Sequence, residues 1–257
     1  MAQYQSSLIV SIYRGIRLVL HLLYGLLIAA TILSFFKPEK RDKIISYWSR
    51  GLVGIFNIRL IVQGNRPTWH SRGILFIANH ISWFDIFALN SVRTIRFIAK
   101  LDIRGWPVLG WFVEKGNTLF IDRSKRSEAT RMVEITAKAL ENGDLLAFFP
   151  EGTTTDGTHL LPFKASLIQA AINTQTTVWP VAIQYLNAEG KIDINMGYYG
   201  DISLAGSMLK MLQIRQPTMI LSYLEPLSFT SDISRTDLAE QAKSQIKKQL
   251  AIAEKII

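Results

Sequence analysis

The sequence predicts an α/β fold: a single mixed, largely parallel sheet flanked by helices, preceded by an N-terminal membrane-embedded two-helix hairpin. Three observations carry this. Residues 117–149 read as strand, helix, strand, and such a crossover leaves its two strands parallel. Residues 73–78 (GILFIA) form a short apolar run, as a buried strand requires. Residues 18–36 carry no formal charge over 19 positions. At about 1.5 Å per residue that run nearly spans a hydrocarbon core of ~30 Å.

The elements follow in order. Arg14 and Arg17 precede the uncharged run, and Lys37, Lys40, Arg41 and Lys43 follow it. The run is longer than the apolar region of a secretory signal and lacks a clear small-x-small exit. Residues 44–56 (IISYWSRGLVGIF) mix apolar and aromatic side chains with Arg50, the pattern of an interfacial helix. Positive charge on both flanks leaves spanning and dipping into one leaflet both open. Residues 1–56 are thus expected to anchor the chain, and residues 57–257 to form the α/β body. Residues 57–63 (NIRLIVQ) alternate as a half-exposed strand, a polar loop through Gly64, Pro67 and Arg72 follows, and residues 73–78 are the buried strand. A helix is expected from Ser82 and a strand at residues 95–99. Residues 117–122 (NTLFID) read as a strand. Ser127 caps a helix running to about Leu140, with Ile135 and Ala139 facing inward. Asn142-Gly143 stops that helix and residues 144–149 return as a strand. A helix at 167–173, strands at 177–184, 192–199 and 218–224, and an amphipathic helix at 237–257 complete the reading.

Composition narrows the function. With 49% hydrophobic residues the chain can bury a core, and with no cysteine it has no disulfide, no Cys-ligated zinc and no thiol nucleophile. The formal charge of +9 seeks anions such as phospholipid, phosphorylated substrate or nucleic acid. A mean hydropathy of +0.18 favours the membrane. A basic nucleic-acid-binding module explains the charge but not the uncharged run, and no zinc-finger or aromatic RNA-binding pattern is present.

The stretch NHISWFD, residues 79–85, places a histidine just after the buried strand and an aspartate five positions on. On one helix that spacing sets side chains about 140° apart. They meet if His80 sits on the loop and Asp85 on the first turn of the next helix. Ser82 then reads as N-cap with Asp85 at N3, so a capping box accounts for the pattern equally well. The catalytic reading is coherent: a neutral imidazole accepts a hydroxyl proton, and a carboxylate on its other nitrogen fixes the tautomer. No Gly-x-Ser-x-Gly elbow supplies a nucleophile, so the hydroxyl is expected to belong to the substrate.

These residues resemble the PlsC-like glycerolipid acyltransferase family (1-acylglycerol-3-phosphate acyltransferases). Asn79-His80, four residues, then Asp85 is similar to its first block. GNTLFIDR (116–123), FPEGT (149–153) and VWPV (178–181) are similar to the next three, in order, within residues 73–185. The resemblance implies the glycerolipid acyltransferase fold with a two-helix N-terminal arrangement. It implies His80 as general base and Asp85 as its orienting partner. Arg123 and Lys100 would hold an acceptor phosphate. Glu151 would lie in the acceptor site, with Gly152 and the Thr153 amide approaching the ligand. It also implies an acyl thioester donor on acyl carrier protein or CoA, a lysolipid acceptor, no metal and no bound cofactor. Membrane lipid is the expected partner and nucleic acid is not. The expected location is the inner (cytoplasmic) membrane, with the catalytic domain facing the cytoplasm. One departure stands out. Thr154-Thr155-Asp156-Gly157 follows the third block where many members carry arginine or serine and further basic residues. EGTTTDG also resembles a branch that acylates lyso-ornithine lipids, whose acceptor carries no phosphate. Lys164 is a candidate replacement cation, His159 is expected to be an exposed loop residue, and Lys100, Arg104, Lys125 and Arg126 form a basic surface. The intact His80, Asp85 and Glu151 argue against a non-catalytic adaptor.

Overall fold

The computed structural model describes residues 5–31, 35–105, 109–122, 126–228, 230 and 232–253. Helices α1 (Leu8–Thr31) and α2 (Pro38–Ile55) come first. Then follow β1 (Arg59–Gln63), β2 (Ile74–Ala78), α3 (Asp85–Val92), β3 (Arg96–Lys100), a 3-10 turn (Leu101–Gly105), α4 (Leu109–Lys115) and β4 (Leu119–Ile121). The chain continues with α5 (Arg126–Glu141), β5 (Leu145–Phe148), α6 (Ile168–Thr174), β6 (Thr177–Leu186) and a second 3-10 turn (Ile194–Met196). It closes with α7 (Leu204–Gln213), β7 (Thr218–Tyr223) and α8 (Arg235–Ala253).

The strands form one sheet in the order β1-β7-β6-β2-β5-β3-β4. All neighbours are parallel except β6 and β7. This is the mixed, largely parallel sheet expected, its parallel part being what the crossover pattern predicts. Central β2 is buried at every position. Ile74, Phe76 and Ala78 join one core with side chains of α1, α2, α3 and α7; Leu75 and Ile77 join a second with α5, α6 and α8. A strand covered on both faces needs apolar residues throughout, which is why the run GILFIA is unbroken. Because β2, β5, β3 and β4 point the same way, the segments leaving their C-terminal ends emerge along one edge, where ligands of open α/β sheets gather.

Helix α1 starts earlier than the uncharged run. Arg14, which reads in the sequence as a flanking charge, is buried. Its guanidinium donates to the carbonyls of Leu212 (3.2 Å), Ile214 (2.7 Å) and Arg215 (2.9 Å), at the C-terminal end of α7. Carbonyls there lack helical partners, so a cation both satisfies them and meets the negative end of the helix dipole. Further along, α1 and α2 clasp each other. His21 Nε2 donates to the Trp48 carbonyl (2.9 Å), Trp48 Nε1 donates to the His21 carbonyl (3.1 Å), and the two rings stack at 4.9 Å. Gly51 permits this approach, since a Cβ there would stand 2.3 Å from His21 Cε1.

Four local expectations are corrected. Residues 192–199 are not a strand: the Asp193 side chain accepts from the Asn195 amide (3.0 Å) and turns the chain into the 3-10 turn, leaving a single bridge between Leu186 and Ile192. Ser82 is not the N-cap of α3. The helix begins at Asp85 after Phe84, and the Ser82 hydroxyl accepts from the Phe84 amide instead (3.4 Å). Ser127 lies inside α5 rather than before it. Helices α4 and α7, absent from the sequence reading, fill the connections after β3 and β6.

Candidate active site

The site begins where β2 ends. The buried carboxamide of Asn79 donates to the Ile183 carbonyl (2.9 Å) and accepts from the Ile183 amide (2.8 Å), pinning the departing chain to β6. The next residue, His80, turns its ring back toward the first residue of α3, and His80 Nδ1 lies 2.9 Å from Asp85 Oδ2. The same Oδ2 accepts from the amides of Ile81 (2.8 Å) and Ser82 (3.0 Å), and Oδ1 accepts from the Tyr185 hydroxyl (2.7 Å). Asp85 is fully buried. Its carboxylate is therefore satisfied by four donors at the N-terminus of a helix. Burial, and then the charge of Asp85, push the Tyr185 phenol well above its ordinary range, so it stays protonated and donates. A carboxylate in this role offers acceptor capacity alone. Nδ1 consequently carries the ring proton, and Nε2 keeps a lone pair.

The capping box does not form as read, because Asp85 opens the helix and Ser82 is not its N-cap. Asp85 reaches back to backbone amides as a capping carboxylate does, and it also orients an imidazole. The plane of that ring is set by Phe149, stacked on it at 3.7 Å with an interplanar angle of 5°.

The segment after β5 locks onto the segment after β2. Glu151 Oε1 accepts from the His80 amide (2.8 Å) and Oε2 from the Leu161 amide (2.9 Å), while the Thr155 amide donates to the His80 carbonyl (2.9 Å). Burial pushes the Glu151 carboxyl above the usual carboxylate range, and the amides of Leu161 and His80 pull the other way. Gly152 follows at φ +79°, a conformation that glycine adopts without strain. The Thr154 hydroxyl donates to the Tyr198 carbonyl.

A cavity of about 440 Å³ opens beside the histidine. His80, Phe149 and Gly152, Thr153 and Thr154 line one part; Leu18, Leu22, Gly25 and Ala29 of α1 and Ile44, Ile45 and Trp48 of α2 line another. Lys100 and Lys115 add two cations to the wall. The structure therefore brings His80, Lys100, Gly152 and Thr153 to one cavity, with Asp85 directly behind His80. Glu151 is not on the cavity wall; both its oxygens are bound to backbone. Arg123 and Lys125 lie outside the described residues. Lys164 is exposed and away from the cavity wall, Arg104 pairs with Glu114 at 2.7 Å, and His159 is exposed beside Asp156 at 3.4 Å. Asn79, Phe149 and Tyr185 are the supporting residues that the sequence reading did not single out. Asn79 and Phe149 fall inside quoted motifs, whereas Tyr185 stands 100 residues from Asp85 with no local signal.

A histidine held by a buried carboxylate, on the wall of a largely apolar cavity beside an α/β sheet, is an arrangement that fits an acyltransferase. Residues 59–184 match the acyltransferase family model. The chain is 32% identical over 214 residues to the 1-acyl-sn-glycerol-3-phosphate acyltransferase of Neisseria meningitidis, covering 83% of each chain. It is 32% identical over 208 residues to the lyso-ornithine lipid O-acyltransferase of Pseudomonas aeruginosa, covering 80% of this chain and 78% of that one. Its fold matches the crystal structure of the 1-acyl-sn-glycerophosphate acyltransferase PlsC from Thermotoga maritima with a TM-score of 0.63 and 25% identity, over 94% of this chain and 98% of that one. The chain belongs to this acyltransferase family.

The Glu151 contacts carry a prediction. In Glu151→Gln one side-chain oxygen remains an acceptor, but the new amide nitrogen faces a backbone N–H. A loss of about 1–3 kcal/mol is expected from that unsatisfied pair, together with lower turnover as the His80 backbone loses its anchor. Denaturant midpoints and acyl-transfer rates of the two proteins check it.

Proposed function

We propose that the chain transfers an acyl group from an acyl thioester, carried by acyl carrier protein or CoA, to the free hydroxyl of 1-acylglycerol 3-phosphate, giving phosphatidic acid. The observation that carries this reading is the placement of the His80–Asp85 pair at an apolar cavity walled by α1 and α2. The cavity is suited to an acyl chain whose carbonyl ends near the imidazole. Nε2 removes the acceptor hydroxyl proton as the oxygen attacks the thioester carbonyl, and the imidazolium that forms is steadied by Asp85. The tetrahedral oxyanion needs donors. Thr153 lines the cavity and its amide has no acceptor among the described residues; that amide is the proposed donor. Collapse expels the thiolate, which takes the proton from His80. Lys100 and Arg123 are proposed to hold the acceptor phosphate. Glu151 is proposed to shape the acceptor site through the His80 and Leu161 amides, and Gly152 to let the backbone approach the ligand. The thioester is already activated, so no further cofactor is proposed.

Residues 1–56 are proposed as the membrane-anchoring unit and residues 57–257 as the catalytic body, at the inner membrane and facing the cytoplasm, where acyl thioesters are available. One stripe of α1 packs on the body while Leu8, Ile12, Ile16, Leu20, Leu23 and Leu27 stay exposed. A helix held along its length in this way supports dipping into one leaflet over spanning. Lyso-ornithine lipid is the second acceptor reading. It is favoured by Thr154, in place of a cation, on the cavity wall. The test is a labelled acyl-donor assay across lysolipids with and without phosphate, read by product mass. Phosphatidic acid as the main product supports the first reading, acylated ornithine lipid the second, and no acylated lipid overturns both.

A further inference from the structure

The apolar surface of α1 continues onto α7. A Cβ at Gly15 of α1 would touch Leu212 Cδ1 of α7 at 3.9 Å, and Arg14 binds the carbonyls that follow the same turn. Leu209 precedes Leu212 by one helical turn, so the two side chains are surface neighbours. Leu212 is 4% exposed and Leu209 is 62% exposed. Across the contact, Ile12, Ile16 and Val19 flank Gly15 and are exposed to a similar degree. A lone surface leucine is ordinary; one that prolongs an apolar strip across a helix–helix contact marks an interaction surface. The charges agree. Neither α1 nor α7 contains an acidic residue, while Arg17, Lys210 and Arg215 are exposed.

We propose that α7 is a second membrane-contacting helix, seated beside α1 on an anionic bilayer, with Leu209 among the acyl chains and Lys210 and Arg215 at the headgroup phosphates. Leu204 and Met208 of the same helix line the cavity. Seating α7 therefore sets the cavity wall at the level of the lipid from which the acceptor is drawn. The inference rests on the membrane-facing reading of α1.

The chain has no cysteine, so one introduced cysteine carries one spin label. Leu209→Cys, Leu20→Cys and Lys247→Cys are labelled in the full chain and bound to phosphatidylglycerol–phosphatidylethanolamine vesicles. Residue 247 is exposed on α8, which packs on the opposite face of the sheet. Accessibility to oxygen is expected to exceed accessibility to an aqueous nickel chelate several-fold at 209 and at 20, with the reverse at 247. If 209 behaves like 247 while 20 is lipid-exposed, the assignment of α7 is wrong and that of α1 stands. If 20 and 209 both behave like 247, both are wrong. Spin–spin broadening at 209 with low access to either reagent assigns the face to a second copy of the chain and also overturns the proposal.

Discussion

Replacing His80 with alanine is expected to lower kcat for acyl transfer by about 10²–10⁴-fold, the range that a positioned general base contributes, while the protein stays folded. The ring is 17% exposed at its side chain and lies on the cavity wall, so its removal enlarges an existing space more than it opens a void in the core. Its backbone contacts, to Glu151 and to the Thr155 amide, do not involve the imidazole and remain. Steady-state kinetics on purified protein, with thermal unfolding in parallel, separate a chemical loss from a folding loss.

Asp85→Asn is expected to produce a loss of similar size by a different route. With its oxygen kept at the Oδ2 position, asparagine still accepts from His80, Ile81 and Ser82, and its nitrogen can donate to a rotated Tyr185 hydroxyl. The network survives, but the charge that stabilises the imidazolium is gone. Turnover is expected to fall by about 10²–10⁴-fold, with a stability change near 1 kcal/mol. Asp85→Ala adds a folding defect, because two backbone amides and a buried phenol lose their acceptor; a loss of about 3 kcal/mol or more is expected. A carboxylate serving purely as a helix cap predicts about 1 kcal/mol and unchanged turnover. Comparing kcat and denaturant midpoints for the two variants distinguishes these cases.

The parts of this molecule legible from sequence are those whose causes are local. The run at 73–78 announces a doubly covered strand because both its faces are apolar, and β2 is buried throughout. The unit at 117–149 carries its own stop at Asn142-Gly143, and β4, α5 and β5 appear there in register with the reading. His80 and Asp85 meet because the loop leaving β2 brings them together at 2.9 Å. Most of what was hidden depends on distant partners, and one segment on a local side-chain turn. Arg14 reads as a membrane flank until α7 supplies three carbonyls. The segment 192–199 alternates like a strand, but Asp193 bends it. Tyr185 gives no sign that its hydroxyl belongs to Asp85, since it lies on β6 and the register between β6 and β2 decides the meeting. Glu151 reads as an acceptor-site carboxylate, and its two amide contacts are visible in three dimensions alone.

The most direct measurement of the central claim is acyl transfer by His80→Gly with and without added imidazole. Phe149 and Asp85 remain in place to receive the free base. The His80→Gly protein is expected to be inactive alone and to regain product formation saturably with imidazole. Turnover at the wild-type rate without imidazole would contradict the claim.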